Sequence, residues 1–368
     1  MQTTNKAAQA LDEAIAFAQG HETAWVRDPV ADPNGLWGVH QDDPPPYNRL
    51  FGPVFPRGGV SGVILHNGNV VRSFGEPDRA DITFSVAKAY LSLLAGVAHD
   101  QGLLADLDRP IADQLPGIGF DDGQNRQVTW KHMLQQTSEW SGTCLDIPDQ
   151  VDHYRSLTFS PAPEGRKGDK RPLKAPGTFW EYNDVRINQM SLALLHLFGQ
   201  PLPEVFTETI AKPCGLSDTW RWIGYDHATV TVNGKSMTAV PGGSHWGAGM
   251  FISANDQAKI GQLLLDDGRV AGKQVISADW IQHMRAPCDI APFYGYLLWL
   301  NHQKKLFSAL PEESYFAMGA GGHFTLVEPT RGWVAVVRWI DADQANTFFG
   351  KVHEAFGAAD KPSSLNAV

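Results

Sequence analysis

Strand-forming residues occupy two places in this chain that lie far apart in sequence, with a long stretch of helical patterning between them. Residues 60–65 and 70–74 are β-rich, and Asn67-Gly68 between them supplies the positive φ angles of a tight hairpin turn. Near the other end, residues 296–301, 323–327 and 333–340 read as strands, the last two joined through the turn Pro329-Thr330-Arg331-Gly332. A lone hairpin is marginal in water, so the two groups are expected to complete one antiparallel sheet. The residues between them then form an insertion that leaves the sheet and returns to it.

Helical patterning fills in the rest. Residues 11–17 place Leu11, Ala14, Ile15 and Phe17 on one face of a helix that Gly20 ends, and an irregular connector with Pro44-Pro45-Pro46 runs on to Pro56. Residues 85–99 have helical spacing, and from there to about Trp246 helix signals alternate with Pro, Gly and charged loops. Further helices are expected over 255–267, 278–284 and about 346–356. The fold class is therefore α/β of the α+β kind: an antiparallel sheet flanked by terminal helices, with a large helical subdomain. A single domain is expected over 1–368. It comprises a helix and connector (1–56), sheet-containing segments (57–100 and 247–368) and a mainly helical insert (101–246), with the site in a cleft between the parts.

Composition narrows the function. Hydrophobic residues make up 43% of the 368 and charged residues 19%, which places the chain among globular proteins. Forty acidic residues against 30 basic give a net charge of -10, which disfavours nucleic acid as a partner. Cys144, Cys214 and Cys288 lack the spacing of a disulfide framework or a zinc site and read as reduced thiols. The 13 histidines show no ligand spacing, so neither metal nor cofactor is expected. The first 20 residues carry no apolar run of export-signal or membrane length, which points to a cytoplasmic protein without a membrane partner. The loop 161–176 holds Arg166, Lys167, Lys170, Arg171 and Lys174 and reads as a solvated surface loop, the alternative being a lid that attracts anions.

Three segments carry chemistry. In Thr83-Phe84-Ser85-Val86-Ala87-Lys88, a serine precedes a lysine by one helical turn at the start of an apolar helix. A serine hydroxyl becomes a nucleophile when a neighbour takes its proton, and a buried lysine is suited to that. In Pro176-Gly177-Thr178-Phe179-Trp180-Glu181-Tyr182-Asn183-Asp184, Tyr182 is either a core residue or a general base beside an ammonium such as that of Lys88, and Asp184 reads as the N-cap of the next helix. In Met318-Gly319-Ala320-Gly321-Gly322-His323, small residues let a substrate lie against the backbone, and the N–H groups of Gly322 and Ser85 are candidates for an oxyanion hole. A Gly-x-Ser-x-Gly elbow is absent, Gly242-Gly243-Ser244-His245-Trp246 being the nearest approach to it.

Serine-x-x-lysine, then Pro-Gly-x-x-x-x-Tyr, then a glycine-rich strand near the C-terminus resembles the serine hydrolases of the class C β-lactamase and penicillin-binding-protein type, over roughly residues 60–356. Val128-Thr129-Trp130-Lys131-His132-Met133-Leu134-Gln135-Gln136-Thr137-Ser138 is similar to that family's I-T-I-R-H-L-L-T-H-T-S helix. Trp246-Gly247-Ala248-Gly249-Met250-Phe251-Ile252-Ser253-Ala254-Asn255-Asp256 is similar to its G-G-G-L-x-S-T-A-x-D segment. The resemblance implies a β-lactamase-like fold, with Ser85 as the acylated nucleophile, Lys88 as its activating partner and Tyr182 as base or proton relay. It leaves open which of Lys88 and Tyr182 takes the proton in each step. Two departures bear on substrate. The usual Tyr-x-Asn reads Tyr182-Asn183-Asp184, which puts a carboxylate where an amide helps to hold substrate. The usual Lys-Thr-Gly or His-Thr-Gly is replaced at Gly319, Ala320 and Gly321, so its cation is lost unless His323 or Arg338 supplies one. The expectation is an esterase or amidase acting on small, largely uncharged acyl substrates, with Asp184, Gly321, His323, Trp246 and Trp180 contacting substrate and Trp140 and Phe324 as further aromatic candidates. The alternatives are a β-lactamase or D-alanyl peptidase with a rebuilt anion site and a non-catalytic ligand-binding member of the fold.

Overall fold

A computed structural model of the chain describes residues 2–157 and 164–359. Helix α1 (Gln2–Gln19) contains the segment read from Leu11 to Phe17, and the N–H of Gly20 closes it on the carbonyl of Ala16 at 3.0 Å. Strands β1 (Ser61–His66) and β2 (Asn69–Phe74) form the expected hairpin, with Asn67 at φ +49° and Gly68 at +76°. Strand β3 (Asp81–Ile82) leads through a 3₁₀ turn at Phe84–Val86 into α2 (Ala87–Asp100). Every residue of α2 from Ala87 to Ala98 is buried, which is the pattern of a helix apolar on all sides and enclosed by the rest of the protein.

Beyond α2 come α3 (Asp184–Phe198), β4 (Arg221–Ile223), β5 (Gly249–Ile252), α4 (Ala254–Leu265) and α5 (Ala278–Arg285). The chain ends with β6 (Trp299–Leu300), β7 (Tyr315–Gly319), β8 (His323–Glu328), β9 (Trp333–Arg338) and α6 (Ala345–Ala359). Among the described residues, six strands pair antiparallel in the order β6-β7-β8-β9-β1-β2, so the two halves of the chain meet where β1 runs beside β9, Val63 opposite Val336. Both faces are covered. Phe74 and Phe324 meet Phe348 and Phe349 of α6, against which α1 packs, while the neighbouring residue Thr325 points the other way and bonds Gln257 of α4 at 3.2 Å.

Some expectations need correcting. Between residues 101 and 246 helix accounts for only part of the chain. This segment also holds β4 and a hairpin of Thr229–Val232 with Lys235–Thr238, whose Asn233-Gly234 turn is the same signal that marks β1 and β2. Its long irregular stretches are held by buried polar side chains, such as Asn183, whose amide donates to the Asp149 carbonyl at 2.9 Å. The strand expected over 296–301 shortens to β6, because Leu297 adopts φ +58°. Strand β7 was not anticipated, since Tyr-Phe-Ala-Met-Gly has no alternation to mark it. No described helix is long and apolar enough to cross a membrane. The three cysteines are free and buried, and burial pushes the Cys214 thiol up to about 11.

Candidate active site

Ser85 lies where the chain turns from β3 into α2. Phe84 before it holds φ at +50°, a left-handed conformation that is costly for a bulky residue and persists where packing fixes it. Its ring is fixed by Trp25, Trp37 and Trp339, at centroid distances of 5.3, 5.9 and 6.2 Å. One turn on, Lys88 Nζ donates to Ser85 Oγ at 2.6 Å. The same ammonium is paired with the Asp184 carboxylate, and both side chains are 1% exposed. Tyr182 joins them from the loop before α3, with Lys88 Nζ 4.6 Å and the Arg155 guanidinium 5.2 Å from its ring centre. Its ring stacks on Trp299 at 5.5 Å.

Asp184 is not the helix cap. That role belongs to Asn183, whose Oδ1 accepts from the N–H groups of Val185 and Arg186 at 3.1 and 3.2 Å, which leaves the Asp184 side chain free to reach Lys88. The loop is set by buried contacts: Asn183 N–H donates to Gln136 Oε1 at 3.0 Å, and Asp184 N–H donates to Asp152 Oδ2 at 2.6 Å. Arg155 donates to Asp184 Oδ2 at 2.5 Å, and His245 Nδ1 lies 2.9 Å from the same oxygen. Burial disfavours the Asp184 carboxylate, but Lys88, Arg155 and His245 overcome it and hold its pKa well below the usual carboxylate range. Burial likewise works against the Arg155 charge, and Asp184 and Asp152 reverse the balance and raise its pKa. The lone anion inferred from the sequence is thus already matched by fixed positive charge.

The network continues away from Ser85. His245 Nε2 lies 3.0 Å from Asp43, which also accepts from Trp246 Nε1 at 2.7 Å. Asp43, Asp152 and His245 are close enough to share a metal ion, but the Lys167 ammonium is seated among them, paired with Asp43 and 3.4 Å from Asp152. Two cations of the loop at 161–176 are therefore interior. Lys167 serves this cluster and Arg171 bonds Glu139 and Glu181, at 2.6 and 2.7 Å, while Arg166, Lys170 and Lys174 are exposed as a surface loop requires. Residues 161–163 of that loop lie outside the described residues.

A cleft of about 240 Å³ opens over Ser85. Its walls include Tyr182, Arg155, Trp25, Leu157, Trp299, Phe324 and the run from Met318 to Gly322. Of the expected contacts, Gly321 and Gly322 line it, and Gly319 also comes close to the Ser85 N–H. A Cβ there would stand 2.2 Å from the Thr83 carbonyl oxygen and 3.2 Å from Ser85 N, so only glycine allows β7 to approach this near. Gly322 instead lies in the turn between β7 and β8, its carbonyl accepting the Ile340 N–H at 3.3 Å.

His323 is absent from the cleft. It is fully buried beside Trp339 at 4.2 Å, both ring nitrogens unpartnered, and burial drives its pKa well below 6.5. Arg338 is also elsewhere, its guanidinium spent on Ser61 Oγ and the carbonyls of Glu76, Arg79 and Ile252. Trp246 is enclosed behind His245, Trp180 packs on Phe293 and Tyr294 outside the walls, and Trp140 bonds the Gly119 carbonyl. Arg155, Asp43, Asp152, Trp25 and Trp299 carry no local signal that marks them as site residues. His245 did have a signal, in the small residues of Gly242-Gly243-Ser244. A Cβ on Gly243 would fall 2.4 Å from Asp184 Oδ1 and 2.7 Å from Lys88 Nζ.

Comparison with known proteins agrees with this fold. The family model described as Beta-lactamase matches residues 48–339. The 6-aminohexanoate-dimer hydrolase of Paenarthrobacter ureafaciens is 22% identical over 218 residues, which span 57% of this chain and 52% of that protein. Among solved structures, EstCE1, a hydrolase with promiscuous acyltransferase activity, superposes with a TM-score of 0.60 at 16% identity, covering 95% of this chain and 99% of that one. A family VIII carboxylesterase superposes at 0.57 and 16%, covering 82% and 92%. At these identities the likeness to the solved structures is one of fold.

Proposed function

The chain belongs to the beta-lactamase family, and we propose that within it this protein is a serine hydrolase that cleaves small esters or amides through an acyl-enzyme on Ser85. The observation that carries this reading is the 2.6 Å bond between Lys88 Nζ and Ser85 Oγ at the base of an open cleft.

In the first step Ser85 Oγ bonds to the substrate carbonyl carbon, its proton passes to Tyr182 as its phenolate, since the Lys88 ammonium paired with Asp184 has no lone pair to take it, and the carbonyl oxygen becomes an oxyanion beside the Ser85 N–H. The carbon–leaving-group bond then breaks and the leaving group takes up the proton. Water repeats the sequence on the acyl-enzyme, frees the acid and returns the proton to Ser85. Lys88 and Arg155, held against the Tyr182 ring, stabilise negative charge on the phenol oxygen whenever it forms. In this reading Gly319 replaces Gly322 as the strand residue that shapes the oxyanion site. The family relatives named hydrolase and carboxylesterase support the reaction class.

The test is hydrolysis of p-nitrophenyl acetate and butyrate by the wild type, Ser85→Ala and Lys88→Ala, together with mass spectrometry after exposure to a fluorophosphonate. Wild-type turnover well above both variants and an adduct on Ser85 are expected. Equal rates with no adduct would leave a ligand-binding protein as the better description, and a stable penicillin adduct on Ser85 would favour the β-lactamase or D-alanyl peptidase alternative.

A further inference from the structure

Arg155 has donors to spare. Its side chain is 9% exposed and lines the cleft above Ser85. Among the described residues only Nη1 is hydrogen-bonded, at 2.5 Å to Asp184, 3.4 Å to Asp152 and 3.5 Å from His245 Nδ1. Nε and Nη2 make no hydrogen bond among the described residues, and neither is among the buried polar atoms shut away from a partner. A guanidinium anchored by one nitrogen, with a pair of N–H donors left over, presents the planar fork that matches a carboxylate.

The charges around it permit an anion. Lys88, Arg155 and Lys167 face Asp184, Asp152 and Asp43, three cations against three carboxylates, so an incoming carboxylate meets no net negative charge. The carboxylates sit behind the guanidinium: Asp43, Asp152 and Asp184 are at most 1% exposed and none lines the cleft. The cleft that Arg155 and Ser85 share is also walled by the apolar side chains of Trp25, Leu157 and Trp299. The position is also not that of the lysine missing from the strand, for Arg155 enters from a different segment and is bound to the first carboxylate of α3.

Resting on the serine-hydrolase reading above, we infer that Arg155 is a substrate-recognition residue and that the substrate is an ester or amide with a carboxylate held a short apolar spacer away from the scissile carbonyl. The carboxylate bonds Nε and Nη2 of Arg155, the spacer lies against Trp25 and Trp299, and the carbonyl is presented to Ser85. This replaces the expectation of uncharged substrates, which rested on an unpaired Asp184 and on the cation lost from the strand at Gly319-Ala320-Gly321.

The experiment is calorimetric titration of the Ser85→Ala protein with glutaric acid mono-p-nitroanilide and with its neutral methyl ester, in low and high sodium chloride. The anion should bind about tenfold or more tightly than the ester, the worth of a charge-assisted hydrogen-bond pair, and salt should erode that advantage. In Ser85→Ala/Arg155→Gln the preference should vanish. Equal or weaker binding of the anion, a preference indifferent to salt, or one that survives Arg155→Gln would overturn the inference. Should the double variant fail to fold, the ligand pair and its salt dependence on Ser85→Ala decide alone. Failure of the serine-hydrolase reading would register separately, as a wild type unlabelled by fluorophosphonate.

Discussion

Replacing Asp184 by asparagine restores the Tyr-x-Asn pattern that the family resemblance leads one to expect, yet here it should be strongly destabilising. The Asp184 carboxylate receives Lys88 on Oδ1 and Arg155 and His245 on Oδ2, all in a site closed to water. A carboxamide offers one acceptor, and in either orientation its NH₂ confronts one of the two cations. Removing one member of a buried ion pair costs about 3–5 kcal/mol, and the hydrogen bond that the amide oxygen keeps to a charged donor offsets about 1.5 kcal/mol. The expected loss is therefore about 1.5–3.5 kcal/mol at pH 7, read from urea unfolding followed by tryptophan fluorescence. The pH dependence has a definite sign. The carboxyl pKa is depressed in the folded protein, so its contribution is full above the ordinary value of 3.8 and is lost as pH falls through the folded value. The gap between wild type and Asp184→Asn should stay level from pH 8 to 5 and narrow below about pH 4. A gap under about 0.5 kcal/mol at pH 7, or one that widens in acid, would refute the view that Asp184 is a buried anion balancing three partners.

Other outcomes follow from the same geometry. Lys88→Met should slow phosphonylation of Ser85 by about 10²–10⁴ while costing less stability than Asp184→Asn, because Asp184 keeps Arg155 and His245; timed mass spectrometry and urea melts read the two effects. Gly319→Ala places a methyl group 2.2 Å from the Thr83 carbonyl oxygen and must move β7 away from Ser85, so kcat/KM for p-nitrophenyl butyrate should fall about a hundredfold, and an unchanged value would contradict the close approach. His323→Leu removes two unpartnered ring nitrogens and should hold or raise stability at pH 7. His323 is kept neutral when folded but takes up a proton when unfolded, so the wild type should lose about 1.4 kcal/mol per pH unit below about 6.5 relative to the leucine variant; parallel stability–pH curves would refute this.

The hairpin turn at Asn67-Gly68 and the apolar run of α2 are written locally, in backbone preferences and hydrophobic spacing that act over a few residues, and the pairing of early with late strands follows because neither strand group makes a stable sheet alone. The Ser85–Lys88 pair is written locally too, because residues three apart on a helix share a face whatever surrounds them. Tyr182 was legible only through its neighbours in the motif, and Asp184 was misread as a cap because an Asp before a helix satisfies the same local rule as the Asn183 beside it. What no local rule contains is which side chains from distant segments come to share one buried volume. Arg155, Lys167, His245 and Asp43 come from four separate stretches, and only folding brings them within a few ångströms of one another. Desolvation then makes their charges interdependent, so that Asp184 passes from a repulsive anion to the centre of a matched set. The sequence by itself determined the hairpin and the last two strands, the central helix and the nucleophile candidate with its amine. The tertiary structure decided the charge that the cleft presents, because electrostatic energy depends on distance and burial in space and not on separation along the chain.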